Sequence, residues 1–167
     1  MIVRERLLPF LGTILGVGVV DQRVKGLARA TLPGRLPQEY LGGVVRIEYA
    51  ENRGAFLSLG ANLPDSVRAG LLIGLTLIGL VALAVYVLRS AALDRAHVFA
   101  GSLLTAGGLS NLVDRVARSG VVTDYISMGV GPLRTGIFNV ADVCILAGAI
   151  ALFILSFRHG TPSAPNP

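Results

Sequence analysis

Four apolar runs divide this chain, and polar, turn-rich segments separate them. The first covers Leu7 to Val20 and stops at Asp21-Gln22-Arg23-Val24-Lys25. The second, Val67 to Leu88, is almost unbroken and ends at Arg89. The third, His97 to Leu112, is rich in small residues, among them Gly101, Ser102, Ala106, Gly107, Gly108 and Ser110. The fourth runs from Val140 to Phe157 and meets Arg158 and His159. A helical crossing of a bilayer takes about 20 apolar residues. The pattern predicts four transmembrane helices at 7–22, 67–88, 97–112 and 140–157, within one integral-membrane domain over 1–159. Leu63-Pro64-Asp65-Ser66 supplies the start of the second helix. Arg4 and Arg6 before an apolar run also fit a secretory leader. Ala28-Arg29-Ala30, which resembles a small-x-small cleavage site, lies well past that run with Asp21, Arg23 and Lys25 between, so a span is the better reading.

The polar segments read differently from each other. Segment 23–65 holds Pro33-Gly34, Pro37 and Gly42-Gly43 and is too broken to cross a membrane. Within it Val45, Ile47 and Tyr49 alternate with Arg46, Glu48 and Ala50, the period-two signature of a half-exposed strand. Segment 115–138 reads as a glycine-rich connector, with Asp124 as a candidate turn residue. Residues 160–167 are Pro-rich and read as a disordered tail. Four crossings put both termini on one side. The polar ends of spans one, three and four then meet on the other, under the two capping segments. The fold class is an all-α membrane protein with a small β element outside the bilayer.

Composition sharpens this picture. Hydrophobic residues make up 53% and charged residues 15%, and the mean hydropathy is +0.68. Those values exclude an ordinary soluble domain. Trp is absent and aromatics are few, which argues against a nucleic-acid surface. The lone cysteine, Cys144, sits in an apolar run and reads as a small hydrophobe; it has no intrachain disulfide partner. No His/Cys/Glu cluster suggests a metal, no motif suggests a cofactor, and Ser102, Ser110, Thr123 and Ser127 lack an obvious His partner for a serine triad.

Candidate chemistry lies in the carboxylates at the span ends. Charges at membrane depth are costly and therefore functional suspects. Asp124 and Asp142 form the first candidate pair: two converging carboxylates can share one proton, one activating water and the other polarising a carbonyl. Each has a plainer reading, Asp142 as an acid in the first turn of the fourth helix beside Asn139, and Asp124 as a turn residue. Asp114 is followed by Arg115, which suggests an ion pair or a helix-end anchor. Asn111, one turn earlier, can bond either. Asp21 and Lys25 are spaced i, i+4 and can pair on one helix face, or Lys25 can snorkel to a lipid headgroup. Asn52 and Gly54 suit a turn or a backbone-binding loop. A proton-coupled transporter built on Asp114, Asp124 and Asp142 and a non-catalytic scaffold are the competing classes; the absence of an internal repeat weighs against the transporter.

Five ordered pieces carry a family resemblance. They are Asp21-Gln22-x-x-Lys25; Asn52-Arg53-Gly54-Ala55-Phe56; Gly107-Gly108-x-x-Asn111-x-x-Asp114-Arg115; Val121-Val122-Thr123-Asp124-Tyr125-Ile126; and Phe138-Asn139-x-Ala141-Asp142. Together they resemble signal peptidase II, the lipoprotein signal peptidase of bacteria. The resemblance implies an inner-membrane aspartyl endopeptidase without cofactor. Such an enzyme removes the signal peptide from diacylglyceryl-modified prolipoproteins before the lipidated cysteine, with membrane lipids around it, and is expected to act as a monomer. It implies Asp124 and Asp142 as the catalytic dyad. Asp21, Lys25, Asn52, Gly54, Asn111, Asp114, Arg115, Asn139 and Ala141 map to substrate-binding or structural support. It also implies an extracytoplasmic β-cradle in the first polar segment and cytoplasmic termini. Small residues on the third span, notably Gly107, Gly108 and Ser110, would then leave room for the signal helix. Charge alone points the other way. Only Arg4, Arg6, Arg89, Arg95 and Arg158 of the 15 Lys/Arg lie on the terminal side, which the positive-inside rule would place outside. Two departures from the family pattern are Ser110, where glycine is usual, and Thr123, an added residue before Asp124.

Overall fold

The computed structural model describes residues 2–54 and 63–158. Phe56, His159 and the tail 160–167 lie outside the described residues. The four apolar runs are four helices: α1 (Ile2–Thr31), α2 (Asp65–Arg89), α3 (Arg95–Ala117) and α4 (Val140–Arg158). Each is long and apolar enough to cross a membrane. Two of them exceed the runs that announced them. Helix α1 continues past Asp21 to Thr31 instead of stopping near 22, because its polar continuation turns inward, where other side chains satisfy it. Helix α3 continues through Asp114 and Arg115, which are therefore helical and not part of a connector.

Helix α3 is the axis of the bundle. It packs on α4, α1 and α2 in turn and is largely buried, whereas the other three spans expose apolar flanks. That position explains its composition. Shielded from lipid, α3 can carry Ser102, Thr105, Ser110, Asn111 and Asp114 where a lipid-facing helix could not. Its glycines admit neighbours: a Cβ on Gly101 would meet Val87, one on Gly108 would meet Leu80, and one on Gly107 would lie 2.3 Å from the Ala141 carbonyl oxygen. The room at Gly107 and Gly108 is thus filled by α4 and α2, and Ser110 bonds α1; these positions leave no slot for a substrate helix. Gly107→Leu is expected to abolish folding, since the obstructing atom is backbone. Gly74→Leu, with open space around it, should melt like the parent in detergent. Equal melting of the two variants would refute this packing.

The terminal end is closed by polar caps. Asp94 caps α3 by accepting from the His97 N–H at 2.9 Å. The Arg6 guanidinium donates to Val87 O at 3.1 Å, Ser90 O at 2.6 Å and Leu93 O, placing a cation on the carbonyl end of α2. Below it Phe10, Val87 and Val98 form a small apolar core.

On the opposite side lies a four-stranded antiparallel sheet in the order β1 (Gln38–Tyr40), β2 (Val45–Asn52), β3 (Val122–Val130), β4 (Leu133–Arg134). The alternation over 45–50 is strand β2, with a register irregularity between Ile47 and Ala50. The sheet is not confined to the first polar segment: the supposed connector supplies β3 and β4. Val122 to Tyr125 are buried in succession, so β3 is covered on both faces and shows no alternation to read. Asp124 is a strand residue facing Ala50, not a turn residue.

Candidate active site

The strand and three helix ends converge on one buried polar lattice. Its first layer is built around Lys25, fully buried in the inner face of α1. The ammonium lies 2.8 Å from Asp21 Oδ2, 2.7 Å from Asn111 Oδ1 and 3.4 Å from Asp114 Oδ2. Three N–H donors thus find three acceptors. Lys25 is an internal tie, and the snorkelling alternative is ruled out by its burial. Asp21 does more than pair with it. Its Oδ1 accepts from the Ala141 N–H at 2.9 Å and its Oδ2 from the Ser110 hydroxyl at 2.7 Å. One carboxylate therefore joins α1, α3 and the first turn of α4, where the helix dipole favours an anion. Ser110, the departure from the family's glycine, is one of its donors.

Asp114 does not pair with Arg115. Successive helical residues diverge by about 100°, and Asp114 points to α1. There Gln22 Nε2 donates to it at 3.1 Å and Arg29 Nη1 lies 3.6 Å away. Its Oδ2 accepts the Thr123 N–H at 3.0 Å, which ties β3 to α3. Arg115 turns the other way and is half-buried. It lies within electrostatic reach of Asp142, Asp124 and Asp114, and its Nε has no partner among the described residues.

The second layer holds the candidate pair. Asn139 precedes α4 and reciprocates with Asp142: the Asp142 N–H donates to Asn139 Oδ1 at 3.0 Å, and the Asn139 N–H to Asp142 Oδ2 at 3.1 Å. This is a capping-box arrangement with Asn and Asp in place of Ser and Glu, so the plainer reading of Asp142 holds as geometry. It does not exhaust the residue. Asn139 Nδ2 also donates to Asp124 Oδ1 at 2.6 Å, so one amide side chain and its own N–H link the two carboxyl groups. Asn111 Nδ2 donates to the remaining Asp142 oxygen at 2.8 Å. The Lys25 ammonium claims Asn111 Oδ1, and that fixes the amide with its NH₂ toward Asp142. The remaining Asp124 oxygen accepts Asn52 Nδ2 at 3.1 Å. Asn52 is oriented in the same way, because its Oδ1 accepts the Gly54 N–H at 2.8 Å. Gly54 has φ +82°, a conformation that suits glycine.

Both acids are thus held by one donor per oxygen, and their surroundings differ. Asp124 is buried, whereas Asp142 is half-buried. Burial pushes the Asp124 carboxyl up to about 6. The Asp142 charge adds to this, and the hydrogen bonds from Asn52 and Asn139 oppose it. Tyr125, whose hydroxyl accepts the Val140 N–H at 3.3 Å, is pushed by burial up to about 12 and stays neutral. Among the described residues no three His, Cys, Asp or Glu side chains group as a metal site.

Several supporting contacts carried no signal in the sequence. Arg118 donates to Thr123 Oγ1 at 2.5 Å, to Glu51 Oε1 at 2.8 Å and to Tyr49 OH at 3.2 Å, stapling β2 to β3 on the face opposite Asp124. Arg29 reaches the same Thr123 hydroxyl at 3.2 Å. Thr123 is fully buried and pairs opposite Glu51, so the added residue is part of a regular strand and leaves Asp124 in the lattice. Gln22 joins Ser110 and Asp114. Only the polar character of these positions was visible beforehand; apart from Arg118 and Thr123, five residues apart, the partners lie roughly 65 to 95 residues away.

A four-span membrane protein with two amide-linked carboxyl groups where the sheet meets the span ends is equipped for acid–base chemistry at the bilayer boundary. The model of the family described as signal peptidase (SPase) II matches residues 13–158. A lipoprotein signal peptidase of Treponema denticola is 35% identical over 94% of this chain and 92% of its own length. One from Sulfurihydrogenibium sp. is 33% identical over 90% and 91%. A solved bacterial membrane enzyme superposes with a TM-score of 0.81 at 25% identity, covering 95% of this chain and 93% of that one. The chain belongs to the signal peptidase II family, and it is a multi-pass membrane peptidase.

Proposed function

We propose that this protein removes the signal peptide from diacylglyceryl-modified prolipoproteins, cutting before the lipidated cysteine, with Asp124 and Asp142 as an aspartic dyad. The observation that carries the reading is the link through Asn139: it ties two carboxyl groups of unequal burial to one residue. Two such groups share one proton. Asp124 keeps that proton and donates it toward the scissile carbonyl. Asp142, the more accessible acid, takes a proton from the attacking water. The tetrahedral intermediate then collapses as the amide nitrogen is protonated and the signal peptide leaves. Arg115, within electrostatic reach of both acids, offers positive charge toward the developing oxyanion. Nothing among the relatives supports the transporter or scaffold alternatives.

Asp21, Lys25 and Asp114 position the helices, and Asn52, Asn111 and Asn139 hold the dyad; Gly54 and Ala141 hold those residues in turn. The protein sits in the bacterial inner membrane with its site at the extracytoplasmic face, as the family implies. The substrate's acyl chains stay in the bilayer, and each CH₂ kept from water is worth about 0.8 kcal/mol. Initial rates on matched peptides test this: the diacylglyceryl peptide is expected to be cut far faster than its unlipidated twin, and equal rates would remove lipid from recognition. Orientation is tested in a Cys144→Ala background with a membrane-impermeant thiol reagent applied from outside. Ser119→Cys should label and Ala91→Cys should not; the reverse pattern would place the site in the cytoplasm.

A further inference from the structure

Both turns at the far end of the sheet are apolar. The β1–β2 turn carries Leu41 and Val44, and the β3–β4 turn carries Val130 and Leu133. They lie side by side: Val45 pairs with Met128, the Gly129 N–H donates to Val44 O at 2.9 Å, and Arg134 Nη1 donates to Gly43 O at 2.8 Å. Leu41 is 79% exposed, Val130 75% and Leu133 83%, so no part of the described fold covers this end. Leu41 also has φ +52° at its turn. Asn or Gly would take that conformation more cheaply, so the fold alone gives no reason for a leucine there.

The location of this end selects its partner. Strand β3 is anchored at Thr123 to α3, and at Ile126 to Phe138, two residues before α4. Val130 is four residues beyond that bridge, about 13 Å at the rise of a strand. The apolar end therefore stays close to the span ends, beside the lipid-facing flanks of the bundle. Its surroundings match a bilayer interface: Tyr40, half exposed, is an amphipathic ring, and Arg134, whose guanidinium bonds Gly43 O, brings positive charge to the turns. We propose that the paired turns of the sheet, led by Leu41, Val130 and Leu133, insert into the headgroup layer of the bilayer on the site side. They act as a second membrane anchor that steadies the sheet carrying Asp124. The anchor stands on the exposure and pairing of the two turns and does not require any catalytic assignment.

The chain contains no Trp, so single-Trp variants report cleanly. Leu41→Trp and Leu133→Trp would be reconstituted in phosphatidylethanolamine–phosphatidylglycerol vesicles, with Ile78→Trp, exposed on α2, as the lipid-facing reference. Brominated acyl chains should quench both turn reporters to at least about half the extent seen for Ile78→Trp, and aqueous iodide should quench them poorly. Efficient iodide quenching with no bromine effect would place the turns in water and overturn the anchor. Protection from both quenchers that depends on protein density would mean that a second copy of this chain covers them, and would overturn it equally. Leu41→Asn relieves the local backbone strain. It should leave melting in detergent unchanged or raised while reducing bromine quenching of the Leu133→Trp reporter. A fall in detergent melting would mean that Leu41 serves the fold.

Discussion

Asp124→Asn and Asp142→Asn are each expected to reduce cleavage of a lipidated peptide by about 10³-fold or more, while the protein still inserts and folds. Positioned acid–base groups contribute roughly 10²–10⁴-fold each, and members of one catalytic unit are not additive, so the double variant should be little worse than either single one. Both amides preserve shape and keep one acceptor oxygen each; what is lost is the exchangeable proton, together with the one hydrogen bond whose donor now faces the new NH₂. The parent's pH dependence should follow from Asp124. Burial, with Asp142 adding to it, raises its carboxyl to about 6, so above that value the dyad loses its shared proton. The quantity kcat/KM should then decline toward tenfold per pH unit. Stability carries the same sign. A carboxyl whose folded value is raised contributes stability below the ordinary carboxylate range, and that contribution is lost as pH rises through about 6. The melting temperature of Asp124→Asn minus that of the parent should therefore rise from pH 5 to pH 8. A difference that instead rises on acidification would mean that Asp124 is stabilised as an anion in the fold.

The second large effect is on stability. Lys25→Met would leave Asp21 and Asp114 buried without their ammonium. Breaking one partner of such a set costs on the order of 3–5 kcal/mol. At about 2–4 °C per kcal/mol for a chain of this size, melting in detergent should fall by about 10 °C. Asp114→Asn should fall in the same direction but less, since an amide can still accept the Thr123 N–H. Arg115→Ala should behave otherwise. Its guanidinium is half-buried within electrostatic reach of Asp124 and Asp142 and, among the described residues, closes no ion pair between helices, so cleavage should fall with a smaller melting change. Equal melting losses for Lys25→Met and Arg115→Ala would contradict the division between tie and site.

The sequence exposed the spans because lipid imposes a long, one-sided constraint that a single chain displays directly. Strand β2 was visible because its apolar and polar residues alternate, although Val45 to Ala50 are all half-buried in the fold. Strand β3 was not, because Val122-Thr123-Asp124-Tyr125 is buried on both sides and its polar residues are satisfied by distant partners. The same long-range satisfaction hid the last two turns of α1. Lys25 and Arg29 looked like an exit from the membrane, yet they turn to Asp114, nearly 90 residues away. Arg115 shows the opposite error. Adjacency in sequence suggested a pair with Asp114, and helical rotation separates them. Gly107 and Gly108 were legible as small, but whether a substrate or a neighbouring helix fills the space depends on where α2 and α4 lie.

The most direct measurement is the mass of the products formed when purified protein meets a diacylglyceryl-modified prolipoprotein peptide, with Asp124→Asn run beside it. The account predicts a lipidated fragment beginning at the modified cysteine and a free signal peptide from the parent, and intact substrate from the variant. Cleavage at another bond, or the same products at a comparable rate from Asp124→Asn, would contradict it.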